Sequence, residues 1–291
     1  MDSQPAPGPV PLVLVTGHTF GVRAFEGIFS SGAFLDGKIA VPLMIGLDDS
    51  HAAGTVGYAS PGRLAAEQGA RFITTSDGRL SSLADRIRAP RPAYILVIGW
   101  SHLVGADILS IPGSGCIGMH PTMLPTGRGQ APIPWTIIKG GATTALSVFF
   151  LVAEADAGPL IAQYELDVRD RETSASLFYR IGHTHFTAGL ELGERLGDGI
   201  VPARAQDDAA ATRWPKRRPQ DGEILDTMTC REITLLVRAL LGPYPRAFVR
   251  GPGIQKTEIR GVELVGGGDN IRFRCRDGEV YLVPESSSPA T

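Results

Sequence analysis

Cysteine is scarce in this 291-residue chain: Cys116, Cys230 and Cys275 lie far apart and no CxxC spacing occurs. Reduced, mostly packed thiols in a cytosolic protein are the expectation from that usage. Cys116 stands close to His120, which suits a nucleophile, yet it sits inside an apolar run, which suits packing. Long apolar runs are missing too. None approaches the ~20 residues of a membrane-spanning helix, and the opening MDSQPAPGP has no basic region, so neither a span nor a secretory signal is expected. Nor does one charge dominate: 28 Lys and Arg against 30 Asp and Glu leave a net charge of −2. Nucleic-acid binders show a basic domain or stripe, so no polyanion partner is expected. No HExxH or His/Cys cluster supports a metal site, and neither a GxSxG elbow nor a Walker loop occurs.

What is present is a regular alternation. Pro11 to Thr16 is a short apolar run ending at Gly17, and Phe20 to Phe29 carries apolar residues at helical spacing. The intervening GHTFG lacks the glycines of a GxGxxG fingerprint, so a nicotinamide cofactor is weakly supported. Further strands are expected at Ile39 to Leu47, Arg71 to Thr74 and Tyr94 to Ile98, with helices at Pro61 to Gly69 and Leu80 to Arg88. This order predicts a mainly parallel, Rossmann-like α/β sheet. Later come a strand at Leu160 to Val168 and a long helix at Ser174 to Leu196. The stretch 204–219 is polar, Ala-rich and ends in RWPKRRP, which reads as a linker. The boundaries expected are therefore a first domain over 1–203, the linker, and a smaller β-rich domain over 220–291, whose last residues, ESSSPAT, are expected to fray. Arg213, Lys216, Arg217 and Arg218 in the linker suit either a phosphate or plain solvation.

The chain is organised around Gly115 to Gly158. An apolar run ends in His120, a Pro- and Gly-rich loop and an amphipathic piece follow, and a second apolar run, Ala145 to Val152, delivers Asp156. Both chemical residues follow strand-like segments, where open α/β sheets hold their ligands. Imidazole titrates near neutrality and a carboxylate can fix its tautomer and balance its charge. A structural histidine and a simple Asp-Ala-Gly turn fit the same residues.

The loop favours the first of these. HPTMLPTGRGQAPIPW, with Asp-Ala-Gly beginning 36 positions after His120, resembles the formyltransferase family, whose members move a formyl group from 10-formyltetrahydrofolate to an amine. The family pattern of Asn-x-His, Leu-Pro, Arg-Gly, Pro-Ile and Asp-x-Gly is matched by His120, Leu124-Pro125, Arg128-Gly129, Pro132-Ile133 and Asp156-x-Gly158. One position departs from it: Gly118 stands where the family carries its catalytic Asn. RRPQDG, RAL and PYP further on resemble the start of the C-terminal domain in methionyl-tRNA formyltransferases and sugar N-formyltransferases.

The resemblance implies the formyltransferase fold with a small OB-like C-terminal domain, 10-formyltetrahydrofolate as co-substrate, and no metal. It gives His120 proton transfer and Asp156 its orientation. It gives the folate pocket to Trp100, Leu103 and Val104 and to Val152, Ala153 and Glu154, and the amine substrate to His18, Thr19 and Arg128. Trp100, Leu103 and Val104 equally suit plain core, Thr19 a helix cap and Arg128 a solvated loop. Gly118 has no side chain to hold the formyl oxygen, which leaves the Met119 backbone N–H, the Thr122 hydroxyl or a water for that task. A small amine, such as an amino sugar or a natural-product or siderophore amine, is the expected acceptor in a cytoplasmic enzyme, with a homodimer as the analogous assembly. Methionyl-tRNA formylation, a formyltetrahydrofolate hydrolase and a non-catalytic folate-binding relative are the alternatives. Against the first, DDSHAAGTVGYAS after the second strand is acidic to neutral where a tRNA enzyme carries a basic insert. Against the last, binding alone has no need of the His–Asp pair.

Overall fold

A computed structural model describes residues 8–199, 201–251 and 256–285; the Pro-rich opening (1–7) and most of the ESSSPAT end (286–291) lie outside the described residues. In chain order the elements are β1 (Val10–Val15), α1 (Thr19–Phe29), α2 (Gly32–Leu35), β2 (Ile39–Leu47), α3 (Gly62–Glu67), β3 (Arg71–Thr75), α4 (Ala84–Arg88), β4 (Tyr94–Val97) and α5 (Ala106–Leu109). There follow β5 (Gly115–His120), β6 (Arg128–Gly129), α6 (Pro132–Ile138), β7 (Thr143–Phe150), β8 (Leu160–Asp167) and α7 (Ser174–Gly197). The last are β9 (Arg213–Trp214), α8 (Cys230–Ala239), β10 (Phe248–Arg250), β11 (Lys256–Glu263), β12 (Ile271–Cys275) and β13 (Gly278–Pro284). Contacts divide the chain into a first unit, 1–128, 145–165 and 180–212, and a second, 129–144, 166–179 and 213–291.

The first unit is built on a seven-stranded sheet of order β3-β2-β1-β4-β5-β7-β8. β1 pairs in parallel with β2 and β4, β2 with β3 and β4 with β5, while β7 joins β5 antiparallel. The strand order reverses direction between β1 and β4, which makes their C-terminal ends the crevice of a doubly wound sheet. Side chains alternate across a strand, so an apolar run feeds two cores. Leu12 and Leu14 of β1 join Phe25, Ile28 and Leu192 on one face, while Val13 and Val15 join Ile87 and Ile108 on the other. α1 and α7 meet at glycines: a Cβ at Gly27 would lie 2.1 Å from the Phe186 carbonyl oxygen, and one at Gly189 would lie 2.0 Å from that of Ala24. Larger residues at either place would force the two helices apart.

The second unit carries a four-stranded antiparallel sheet of order β10-β11-β13-β12. α8 starts in a capping box, with the Glu232 N–H donating to the Thr229 hydroxyl at 3.1 Å and the Thr229 N–H donating to the Glu232 carboxylate at 2.7 Å. Its apolar stripe of Ile233, Leu236 and Val237 packs with Ile259, Val280 and Leu282 of the sheet. Cys230 and Cys275 are joined in a disulfide. This corrects the expectation of three reduced thiols. The pair stands 45 positions apart with no motif spacing, and β12 brings its last residue to the first turn of α8 only in the folded chain. Cysteine usage therefore gives no argument for a reducing compartment. Among the described residues no helix is long and apolar enough to cross a membrane.

Candidate active site

β5 runs through buried Cys116, Ile117 and Met119 and ends in His120, which is itself buried. The His120 Nε2–H donates to the carbonyl oxygen of Gly127 at 2.9 Å. With that proton placed by its partner, the lone pair of the neutral ring lies on Nδ1. Nδ1 faces Asp156, whose Oδ1 is 3.8 Å away. That is beyond a direct hydrogen bond.

Asp156 occupies the left-handed region with a φ of 59°, which Asp tolerates better than most residues. Two positions on, a Cβ at Gly158 would lie 1.7 Å from the Phe150 carbonyl oxygen, so the turn closes only with glycine there. The Asp-x-Gly spacing is thus a backbone requirement of this turn.

Gly118 shares a strand face with His120, two residues away. A Cβ at 118 would stand 2.6 Å from Cδ2 of Leu151 and 3.5 Å from the Phe149 ring. Leu151 thus fills the space next to Gly118, and no side chain at 118 donates to a ligand. Thr122 is 1% exposed; its hydroxyl donates to the Gly127 carbonyl oxygen at 3.4 Å, and its N–H donates to the carbonyl oxygen of His120 at 2.9 Å. The Cys116 thiol is pushed up to about 12 by burial, so it remains protonated and unreactive near neutrality.

Arg128 is only 3% exposed. Its Nε and Nη2 donate to the Gln206 Oε1 at 3.2 and 2.9 Å, Nη2 donates to Asp208 at 2.6 Å, and Nη1 lies 3.8 Å from Glu154. The guanidinium is therefore taken up by protein groups. Glu154, Ala153 and Val152 are exposed on the stretch between β7 and Asp156. Trp100 and Val104 pack half-buried against the same apolar cluster as Leu151, while Leu103 stands 72% exposed.

His18 and Thr19 sit at the end of β1, at the point where the strand order reverses. The His18 Nδ1 accepts from the Phe20 N–H at 3.0 Å and so caps α1. Burial lowers His18 to about 4, which keeps it neutral with its proton on Nε2. The Thr19 hydroxyl donates to the Gly57 carbonyl oxygen at 3.0 Å. Gly99, after β4, closes against this turn, since a Cβ there would meet the Cβ of His18 at 2.6 Å. Below it Phe20 stacks on buried His185 at 4.5 Å between centroids. Gln206, Leu151 and His185 carry no sequence signal: a polar linker residue, an apolar strand-end residue and one helical histidine.

The model of the formyl transferase family matches residues 48–188. Among solved structures, the chain is similar to an N-formyltransferase from Helicobacter canadensis, in complex with folinic acid and dTDP-3-aminofucose, at 14% identity and a TM-score of 0.72, covering 95% of this chain and 100% of that one. It is similar to a sugar N-formyltransferase from a Shewanella species at 18% identity and a TM-score of 0.67, covering 88% and 99%. It is also similar to the methionyl-tRNA formyltransferase of Clostridium thermocellum at 20% identity and a TM-score of 0.62, covering 95% and 98%. At such identities these likenesses speak for the fold, and the family match speaks for the kind of enzyme. Residues 48–188 thus carry the match to the formyl transferase family of enzymes, and the fold is the one its solved structures share.

Proposed function

We propose that this enzyme transfers the formyl group of 10-formyltetrahydrofolate to the amine of a small molecule, at a site built from His120 and Asp156. The observation that carries the reading is the facing of His120 Nδ1 and Asp156 Oδ1 at 3.8 Å beside the strand end of the family motif. In the reaction a neutral amine nitrogen attacks the formyl carbon and its carbonyl oxygen becomes an oxyanion. Collapse breaks the bond to the folate N10. The amine loses one proton and N10 gains one. His120 accepts the first at Nδ1 and returns it to the leaving nitrogen, directly or through a water, and Asp156 balances the charge in between. His18, at the strand crossover, lies on the side of the sheet where the acceptor is expected. Exposed Leu103, Val152 and Ala153 and half-buried Trp100 and Val104 offer apolar surface of the kind that suits a pterin.

A small acceptor is favoured over tRNA because residues 48–60, after β2, hold Asp48 and Asp49 and no Lys or Arg, so they offer a polyanion no counter-charge. Folinic acid and dTDP-3-aminofucose are named for the Helicobacter canadensis enzyme, and they direct the first choice of ligands. Calorimetry with a stable 10-formyltetrahydrofolate analogue tests the donor half. Micromolar binding is expected, and its absence at high concentration would end the formyl-transfer reading. Nucleotide-linked amino sugars are then screened as acceptors.

A further inference from the structure

We infer that Gln206 is a positioning residue for Asp156, tying the turn that carries the carboxylate to the arginine of the loop that carries His120. This rests on the formyl-transfer reading and deepens it.

The side-chain amide of Gln206 is used at both ends. Its Nε2 donates to the carbonyl oxygens of Asp156 and Gly158 at 2.8 and 2.7 Å, and its Oε1 accepts from Arg128 Nε and Nη2 at 3.2 and 2.9 Å. Arginine has no acceptor and a carbonyl oxygen has no donor, so the amide can face only one way. Arg128 follows Gly127, whose carbonyl oxygen receives the His120 Nε2–H. The Gly127 and Arg128 N–H groups donate to the Thr212 hydroxyl and carbonyl oxygen, both at 2.9 Å. A closed circuit results: His120, Gly127, Arg128, Gln206, Asp156, and back across 3.8 Å to His120.

Gln206 is itself held in place. Just before it, Arg204 exchanges two backbone hydrogen bonds with Leu160 at the start of β8, at 2.7 and 2.9 Å. The turn that Gln206 holds is a strained one: Asp156 is in the left-handed region, and Val152 to Ala155 before it are exposed. A shift of the turn by a fraction of an ångström changes the electrostatic hold on the imidazolium without touching the surfaces that bind donor and acceptor.

Two substitutions separate the halves of this role. Gln206→Ala removes both ends. Gln206→Glu keeps an acceptor for Arg128 and replaces the donor with oxygen facing two carbonyl oxygens. Both variants are expected to lose about 10- to 100-fold in kcat with KM for the formyl donor within about threefold, the pattern of misplaced catalytic groups rather than lost binding. Amide exchange over residues 154–158 is expected to quicken about tenfold or more in both, as hydrogen-bonded restraint is lost. Retained kcat within twofold in either variant, or unchanged exchange at 154–158, would overturn the inference. Wild-type enzyme is assayed in parallel for tetrahydrofolate release, which counts transfer to amine and to water alike. No release from the wild type sinks the formyl-transfer reading, while the exchange measurement still decides whether Gln206 holds the turn.

Discussion

The His120 ring is held between two oxygens of different character: a neutral carbonyl, Gly127, 2.9 Å from Nε2, and a carboxylate, Asp156, 3.8 Å from Nδ1. The carbonyl fixes which ring nitrogen carries the proton, and the carboxylate faces the other. This polarity suits a shuttle that takes a proton from an amine and gives it back within one turnover.

Removing either partner should therefore cost rate rather than fold. His120→Ala is expected to lower kcat by about 10²–10⁴-fold, the usual worth of a positioned acid–base group. Asp156→Ala should fall in the same range, with donor affinity largely kept in both. Stopped-flow transfer assays and calorimetry on the same preparations check this. Near-normal turnover in either variant would exclude the mechanism.

Gly118 and Leu151 form a second testable pair. Because Leu151 lies 2.6 Å from where a Cβ at 118 would stand, Gly118→Asn alone should overpack the strand end and destabilise the protein by about 1–3 kcal/mol. Coupling it with Leu151→Ala makes room for the amide. The double variant is expected to raise kcat about tenfold or more over Leu151→Ala alone, since one oxyanion donor is worth roughly 3 kcal/mol. An unchanged or lower kcat would mean that another donor already serves the oxyanion.

Acid should weaken the first unit through its buried imidazoles. Burial lowers His185 to about 3, with His18 adding to that and the Ile181 carbonyl bond opposing it, and burial lowers His18 to about 4. Above about pH 6.5 both groups are neutral whether the chain is folded or not, so they exert no pull. Below it the unfolded chain takes up protons that the folded chain refuses until about pH 3–4. Stability thus drops as pH falls from 6.5, by up to about 1.4 kcal/mol per pH unit for each group. Urea unfolding at a series of pH values should show this drop, with a shallower slope in His185→Gln. Equal slopes in the two proteins would contradict it.

Several features were legible in the residues themselves. The apolar runs at β1, β2, β4, β5 and β7 signalled the sheet, because strands buried on both faces need no alternation. The GHTFG turn signalled a strand-to-helix crossing. His120 and Asp156 stand just after two of those runs, and the loop between them carries the family pattern. Short pieces such as α2 and α5, of four residues each, left no trace, since one helical turn has no period to detect.

The sequence by itself determined the sheet order's raw material, the titratable pair and the glycines of its turns, because these follow from local periodicity, side-chain chemistry and backbone sterics. The tertiary structure alone decided how they are used. Leu151 fills the space beside Gly118, Cys275 reaches Cys230, and Gln206 crosses 50 positions to hold Asp156. Such contacts depend on distances between segments remote in the chain, and those distances are set only when apolar burial has fixed the strands and helices against one another.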